Sequence, residues 1–182
     1  MVEASSSPTV PGAVAILLHP SIVPVVDVFR SLSSLEDQYD LALLDGPEQG
    51  LATYTQPEAA KGIVSDALLL AFALTRQRGR PFSHRPVGSR HGSIDEYCLL
   101  ALICAARNTA SDLAREAAAF LNVESIDFIG PLAGEMVCHM ESGALVFEPP
   151  SLPEFRAMVG DGVFEEVLVE AASDKAGRNV RT

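Results

Sequence analysis

Residues 97–106, Tyr-Cys-Leu-Leu-Ala-Leu-Ile-Cys-Ala-Ala, present an apolar side chain at every phase of a helical period. A helix without a polar side is stable in water only when neighbours cover all of it, so this segment must run through the centre of the core. Its start is written just ahead. Ser93-Ile94-Asp95-Glu96 forms a capping box, in which the Ser hydroxyl accepts the Glu96 backbone N–H and the Glu carboxylate reaches back to the N–H of Ser93. Arg107-Asn108 then breaks the run, and Thr109-Ala110-Ser111-Asp112 caps a second helix. Leu113, Ala117, Phe120 and Leu121 make its inner stripe, Asp112 and Arg115 pair outside, and it stops at Asn122.

A second apolar run, residues 67–74, closes a helix predicted to open at Thr55-Gln56-Pro57-Glu58, with Thr as cap, and to end near Thr75. Gly62 inside it costs about 1 kcal/mol relative to Ala. Two helices expected to be buried on all sides therefore flank residues 75–92. That connection carries Arg76, Arg78, Arg80, Arg85 and Arg90, with His84 and His91, and no Asp or Glu. The chain as a whole has a net charge of −11, so five of its thirteen basic residues gathered in one loop stand out against an acidic body.

Each Lys/Arg position of the loop is Arg, whose planar fork fits carboxylate and phosphate through two parallel hydrogen bonds. The chain holds eleven Arg and two Lys, so the same loop suits docking onto the protein's own acidic surface equally well. The reading preferred from the sequence is a non-enzymatic interaction or regulatory module that binds an acidic protein or small anionic ligand. Its contacts would be Arg76, Arg78, Arg80, His84, Arg85, Arg90 and His91, led by Arg80, Arg85 and Arg90. The N-terminus of the central helix at residues 91–93 would add its dipole, and protonation of His84 or His91 would strengthen the field at mildly acidic pH.

Toward the N-terminus, residues 13–18 form a short apolar run ending at His19-Pro20 and read as a strand. Ser21 caps a helix in which Ile22, Val25, Val26, Phe29 and Leu32 make one stripe, with Pro24 in the first turn. Residues 39–44 read as a second strand closed by the turn Asp45-Gly46-Pro47. Such a β-α-β unit implies parallel strands and a right-handed crossover. Further on, residues 126–129 read as a connector, 131–141 as a helix ending near Gly143, and 145–147 as an edge strand stopped by Pro149-Pro150. Residues 163–171 fit strand or helix. The expected fold is thus α+β: one helix-dominated domain over residues 12–172 with a small N-terminal β-α-β unit, flanked by disordered tails at 1–11 and 173–182.

Ala13-Val14-Ala15-Ile16-Leu17-Leu18-His19-Pro20, Asp27-Val28-Phe29-Arg30 and Tyr39-Asp40-Leu41-Ala42-Leu43-Leu44 together resemble the opening of the DJ-1/PfpI superfamily, over less than a third of the chain. The resemblance implies an α/β flavodoxin-like fold and a Cys-dependent enzyme, with Cys104 in Leu102-Ile103-Cys104-Ala105-Ala106 as the nucleophile at a strand-to-helix elbow. The chain departs from that pattern at three places. A helix begins at Ser93 where the elbow strand would run, no small-residue turn follows Cys104, and no Gly-Gly follows Leu68 to Leu70. Residues 109–122 also resemble the first helix of a winged-helix regulator, with 143–147 as the start of a wing. The recognition region would then be 122–141, which holds Glu124, Asp127, Glu135 and Glu141 and no Lys or Arg, the reverse of what phosphate neutralisation requires.

The remaining patterns exclude more than they assign. Glu135, Cys138, His139 and Glu141 have metal-ligating types, and Glu135 and His139 share a helix face, but no second motif supplies further ligands, so neither metal nor cofactor is expected. Cys104 on an apolar helix is starved of thiolate. There is no Gly-x-Ser-x-Gly elbow, no phosphate-binding Gly-x-x-x-x-Gly-Lys and no Gly-x-Gly-x-x-Gly, and the balance leans away from an enzyme without deciding it. Net charge of −11 argues against nucleic acid and anionic membrane as partners. Three cysteines without framework spacing, no basic leader and no apolar run near the ~20 residues of a membrane span make a soluble, cytoplasmic protein the expectation.

Overall fold

The computed structural model describes residues 16–38, 40–145 and 147–160. Over these the chain forms α1 (Val23–Gln38), α2 (Asp45–Ala52), α3 (Pro57–Arg78), α4 (Ile94–Ala105), α5 (Asp112–Phe120), α6 (Ile126–Ser142) and α7 (Leu152–Gly160). Short 3₁₀ turns occupy Leu41–Leu44 and Ala106–Asn108. No helix among the described residues is long and apolar enough to cross a membrane.

The central helix forms as its sequence requires. Ser93 Oγ accepts the N–H of Glu96 at 3.1 Å, and Glu96 Oε2 accepts the N–H of Ser93 at 2.8 Å, which closes the capping box. Cys98 through Ile103 are buried, because α4 is covered by α5, α6 and the loop that precedes it. Tyr97 and Cys104 are only half-buried, so the helix is not covered on all sides as expected. Helix α1 packs on α2 and α3, and its predicted stripe of Ile22, Val25, Val26, Phe29 and Leu32 is buried throughout.

The predicted β-α-β unit is absent, and with it the α+β fold class and the flavodoxin-like alternative. Among the described residues there is no strand and no sheet, only one isolated antiparallel bridge between Leu17 and His91. Residues 16–18 are extended, but they pair with the loop at 90–92 and not with a second strand. The intended partner coils instead. Asp40 Oδ1 accepts the N–H of Ala42 at 3.0 Å and its carbonyl accepts that of Leu43 at 3.1 Å, which winds Leu41–Leu44 into a 3₁₀ turn. Asp45-Gly46-Pro47 then opens α2, where a proline in the first turn forfeits no hydrogen bond. A short apolar run is compatible with either state, and here local side-chain capping selected the turn.

Three other expectations shift. Helix α3 is capped at Gln56, begins at Pro57 and continues to Arg78, where Gly79 ends it with φ +64°, a conformation that side chains resist. It is not buried all round: Leu69 is 53% and Phe72 60% exposed. Residues 126–129 are the first turn of α6, so Pro131 lies inside the helix, and the carbonyl it leaves without an i+4 donor belongs to Asp127 at an exposed position. The edge strand at 145–147 does not form at its described residues, Val146 lying outside them. The proposed tails and residues 163–171 fall outside the described residues as well. Helix α7 was not anticipated, although Ser151-x-x-Glu154 writes a capping box for it, with Ser151 N–H and hydroxyl both donating to Glu154 Oε2 at 2.8 and 2.7 Å. Its Phe155 stacks on Tyr97 and meets Phe120 edge-on, tying α7 to α4 and α5.

Helices α3 and α6 run antiparallel in close contact. Ser125 N–H bonds Gln77 at one end, His139 Nδ1 meets Asp66 Oδ2 at 2.5 Å, and Gly143 lies against Thr55 and Ala59 at the other end. Gly62 is required in this seam, because a Cβ there would come within 2.7 Å of the His139 ring.

Candidate anion-binding site

The loop at 79–92 crosses the polar edge of α1 and the first turn of α4, and both edges are built to hold it. Arg30, in the middle of α1, is 1% exposed, and each of its five N–H groups has an acceptor. Nε and Nη2 grip the two carboxylate oxygens of Glu96 at 2.7 and 3.0 Å. Nη1 donates to Asp27 Oδ1 at 3.0 Å and to the Ser89 carbonyl at 2.8 Å, and Nη2 donates to the His91 carbonyl at 3.0 Å. The carboxylates in turn hold loop backbone. Glu96 accepts the N–H of Arg85 at 3.0 Å, and Asp27 accepts that of Gly88 at 3.0 and 3.1 Å. Burial alone lowers the Arg30 pKa, but the hydrogen bonds and charges of Glu96 and Asp27 more than offset it and leave the group above its ordinary value.

A second cluster lies beside the first. Asp95 accepts from Arg78 at 2.6 Å, from both ends of the Arg80 fork at 3.0 and 3.2 Å, and from the N–H of Ser83 at 2.8 Å. Arg80 also donates to the Phe120 carbonyl, and Ser93 Oγ donates to the Ser83 carbonyl at 2.6 Å. The Arg78 guanidinium sits 4.6 Å from the Phe82 ring centroid, and its Nε and Nη1 are buried without a hydrogen-bond partner among the described residues. Burial, helped by the neighbouring charge of Arg80, brings its pKa below the ordinary value despite Asp95. At the loop's tip Ser89 N–H bonds the Pro86 carbonyl at 3.1 Å, and Gly88 takes φ +81° to close the turn.

The seven residues singled out from the sequence therefore divide. Arg78 is buried, and Arg80 is engaged with Asp95. His84, Arg85, Arg90 and His91 are exposed on the pinned loop, and Arg76 is exposed one turn earlier on α3; none of these five makes an ion pair among the described residues. The N-terminus of α4 is already served by its own side chains, since Ser93 and Glu96 satisfy each other and Asp95 and Glu96 bring negative charge to the dipole. The structure adds neighbours that sequence reasoning missed. Leu18 N–H bonds the Arg90 carbonyl and Gly92 N–H bonds the Ile16 carbonyl, both at 2.8 Å, which sets exposed Leu17 beside His91 and brings exposed His19 to the same edge.

Asp27, Arg30, Asp95 and Glu96 were also missed as a clasp. The signal was present: residues 22–32 of the first helix are apolar except for Asp27, Arg30 and Ser31, and ions set in such a segment are tolerated only when paired. What the sequence withheld was the partner, 59 to 66 residues away.

The other candidates acquire no chemistry. Cys104 lies in the last turn of α4, and burial pushes its thiol up to about 12, as it does that of Cys98. No strand-to-helix elbow surrounds it. His139 turns to Asp66 on α3 while Glu135 faces solvent, and among the described residues no three His, Cys, Asp or Glu side chains are placed to hold a metal. Helix α5 packs on α4 and α7 while α6 packs on α3 and α4, and residues 122–141 carry no Lys or Arg. An open cleft of about 550 Å³ between Ala106–Thr109 and α6 has Arg107, Asp127, Glu135 and Cys138 on its walls, a rim of mixed sign that selects no ligand charge. No protein-family model matches the chain, and neither does a curated protein or a solved structure.

Proposed function

We propose that this protein is a binding module whose loop at 79–92 presents Arg85 and Arg90, flanked by His84 and His91, to a carboxylate- or phosphate-bearing partner. The observation that carries the reading is the contrast within the loop. Its backbone is held at Arg85, Gly88, Ser89 and His91 by buried Asp27, Arg30 and Glu96 and at Gly92 by the Ile16 carbonyl, while the side chains of Arg85 and Arg90 remain exposed and make no ion pair among the described residues. A loop already ordered loses little further entropy when a ligand binds, so its charges act at their full strength. In a protein of net charge −11 this local positive field also steers an anion to one place.

The test compares the full chain with an Arg85→Ala/Arg90→Ala variant, titrated with inorganic phosphate, pyrophosphate and a short oligoglutamate peptide and read by calorimetry and thermal shift. At least one probe is expected to bind the parent and to bind the variant more than about tenfold more weakly, with the melting temperature of the ligand-free variant nearly unchanged. Absence of binding by every probe, or an equal affinity for both proteins, refutes the reading.

A further inference from the structure

We infer that the outer face of the α3/α6 pair is a docking surface for a second copy of this chain. On α3 the residues Lys61, Ser65, Leu69, Phe72 and Arg76 follow one another at spacings of three and four, and all five are exposed. On α6 the same spacing gives Phe128, Pro131, Glu135, Cys138 and Ser142, again all exposed. The seam contacts, Asp66 with His139, Gly62 with His139 and Gln77 with Ser125, place both stripes on the side of the pair that faces away from the core. Leu69, Phe72 and Phe128 are 53%, 60% and 62% exposed, and Leu132 lies half-buried between them and the core. The sequence of α3 asks for burial on all sides at residues 67–74, and the monomer provides it on only one.

Charge decides the occupant. The α3 stripe carries Lys61 and Arg76, whereas the α6 side carries Asp127 and Glu135, and none of these four makes an ion pair among the described residues. The antiparallel register sets Arg76 level with Asp127. A two-fold axis along the seam would lay α3 of one copy on α6 of the other, so that Phe72 meets Phe128 and Pro131 of the second copy while Arg76 meets its Asp127. A two-fold across the seam would instead oppose Lys61 to Arg76, like charge against like. The two helices overlap over roughly 25 Å and together are about 20 Å wide, a strip of roughly 500 Å² on each partner and about 1,000 Å² in all, the lower bound for a specific interface.

The test is the mass of the full chain in solution, by light scattering and sedimentation from low to high micromolar concentration. The parent is expected to dimerise, and Phe72→Glu is expected to raise the dissociation constant by about thirtyfold or more with an unchanged circular dichroism spectrum. Arg76→Asp should weaken the dimer by about tenfold, and Arg76→Asp combined with Asp127→Arg should restore it to within about threefold of the parent. A parent that is monomeric throughout, or a Phe72→Glu variant that still dimerises, overturns the inference. Failure of the double charge swap to restore association overturns the two-fold along the seam.

Discussion

Replacing Arg30 with Met removes the hub of the loop clasp while keeping most of the volume of the side chain. The change deletes five hydrogen bonds, three of them to carboxylates, and leaves Glu96 buried with only the backbone donors of Arg85 and Ser93. Breaking one partner of a buried ion pair costs about 3–5 kcal/mol, because the remaining charge must stay desolvated or become protonated. The Ser89 carbonyl also loses its donor and the His91 carbonyl keeps only the Ser89 hydroxyl at 3.3 Å, which places the expected loss at the upper end of that range. Against a typical domain stability of about 5–15 kcal/mol this is severe, and at about 2–4 °C per kcal/mol it lowers the melting temperature by roughly 10–20 °C. Removing both partners in Arg30→Met/Glu96→Gln should cost less than the sum of the two single changes, by about 1–3 kcal/mol of coupling. Urea unfolding followed by circular dichroism gives these energies, and hydrogen exchange should show faster opening at the amides of Arg85 and Gly88, which lose their anchored acceptors. An Arg30→Met variant that loses under about 1 kcal/mol, with exchange at those amides unchanged, would refute the assignment of the clasp as the element that orders the loop.

Leu102 is fully buried in α4, and Leu102→Ala is expected to cost about 2–5 kcal/mol in the same denaturation assay. Gly62→Ala should displace the His139 ring from Asp66, so that lost contact and gained helix propensity nearly cancel; in a His139→Ala background the same change should stabilise by up to about 1 kcal/mol. Cys138 is exposed and should be alkylated first in the native protein at pH 8, whereas Cys98 and Cys104 should react only on unfolding, as mass spectrometry of labelled peptides can show. Because those two thiols titrate near 12 when folded and at their ordinary 9.0 when unfolded, stability should be intact below pH 9 and fall as pH rises from there toward 12, where the unfolded chain alone releases its protons. A Cys98→Ala/Cys104→Ala variant should show a shallower loss over that window.

Where helical periodicity extended past two turns the sequence determined that a helix forms, although the start moved from Ser21 to Val23 in α1 and the cap from Thr55 to Gln56 in α3. The box at Ser93 and Glu96, the cap at Ser111 and the stripe of α1 all depend on groups within four residues of one another, and such interactions operate on the isolated segment. The charge concentration at residues 76–91 was equally legible, being a matter of composition. Short apolar runs were not decided in this way. Residues 16–18 took their extended pairing from the loop at 90–92, more than 70 residues away, and residues 41–44 found no partner strand and coiled under the Asp40 side chain. The same distance separates what the loop contains from what it does with it: Arg78 and Arg80 are engaged internally because Asp95 lies opposite them in space, and Arg85 and Arg90 stay exposed while the acids that hold their loop, Asp27 and Glu96, are occupied by Arg30 and loop N–H groups. Charge and propensity are properties of residues, whereas the pairing of a charge depends on which segments the buried core brings together, and only tertiary packing determines that.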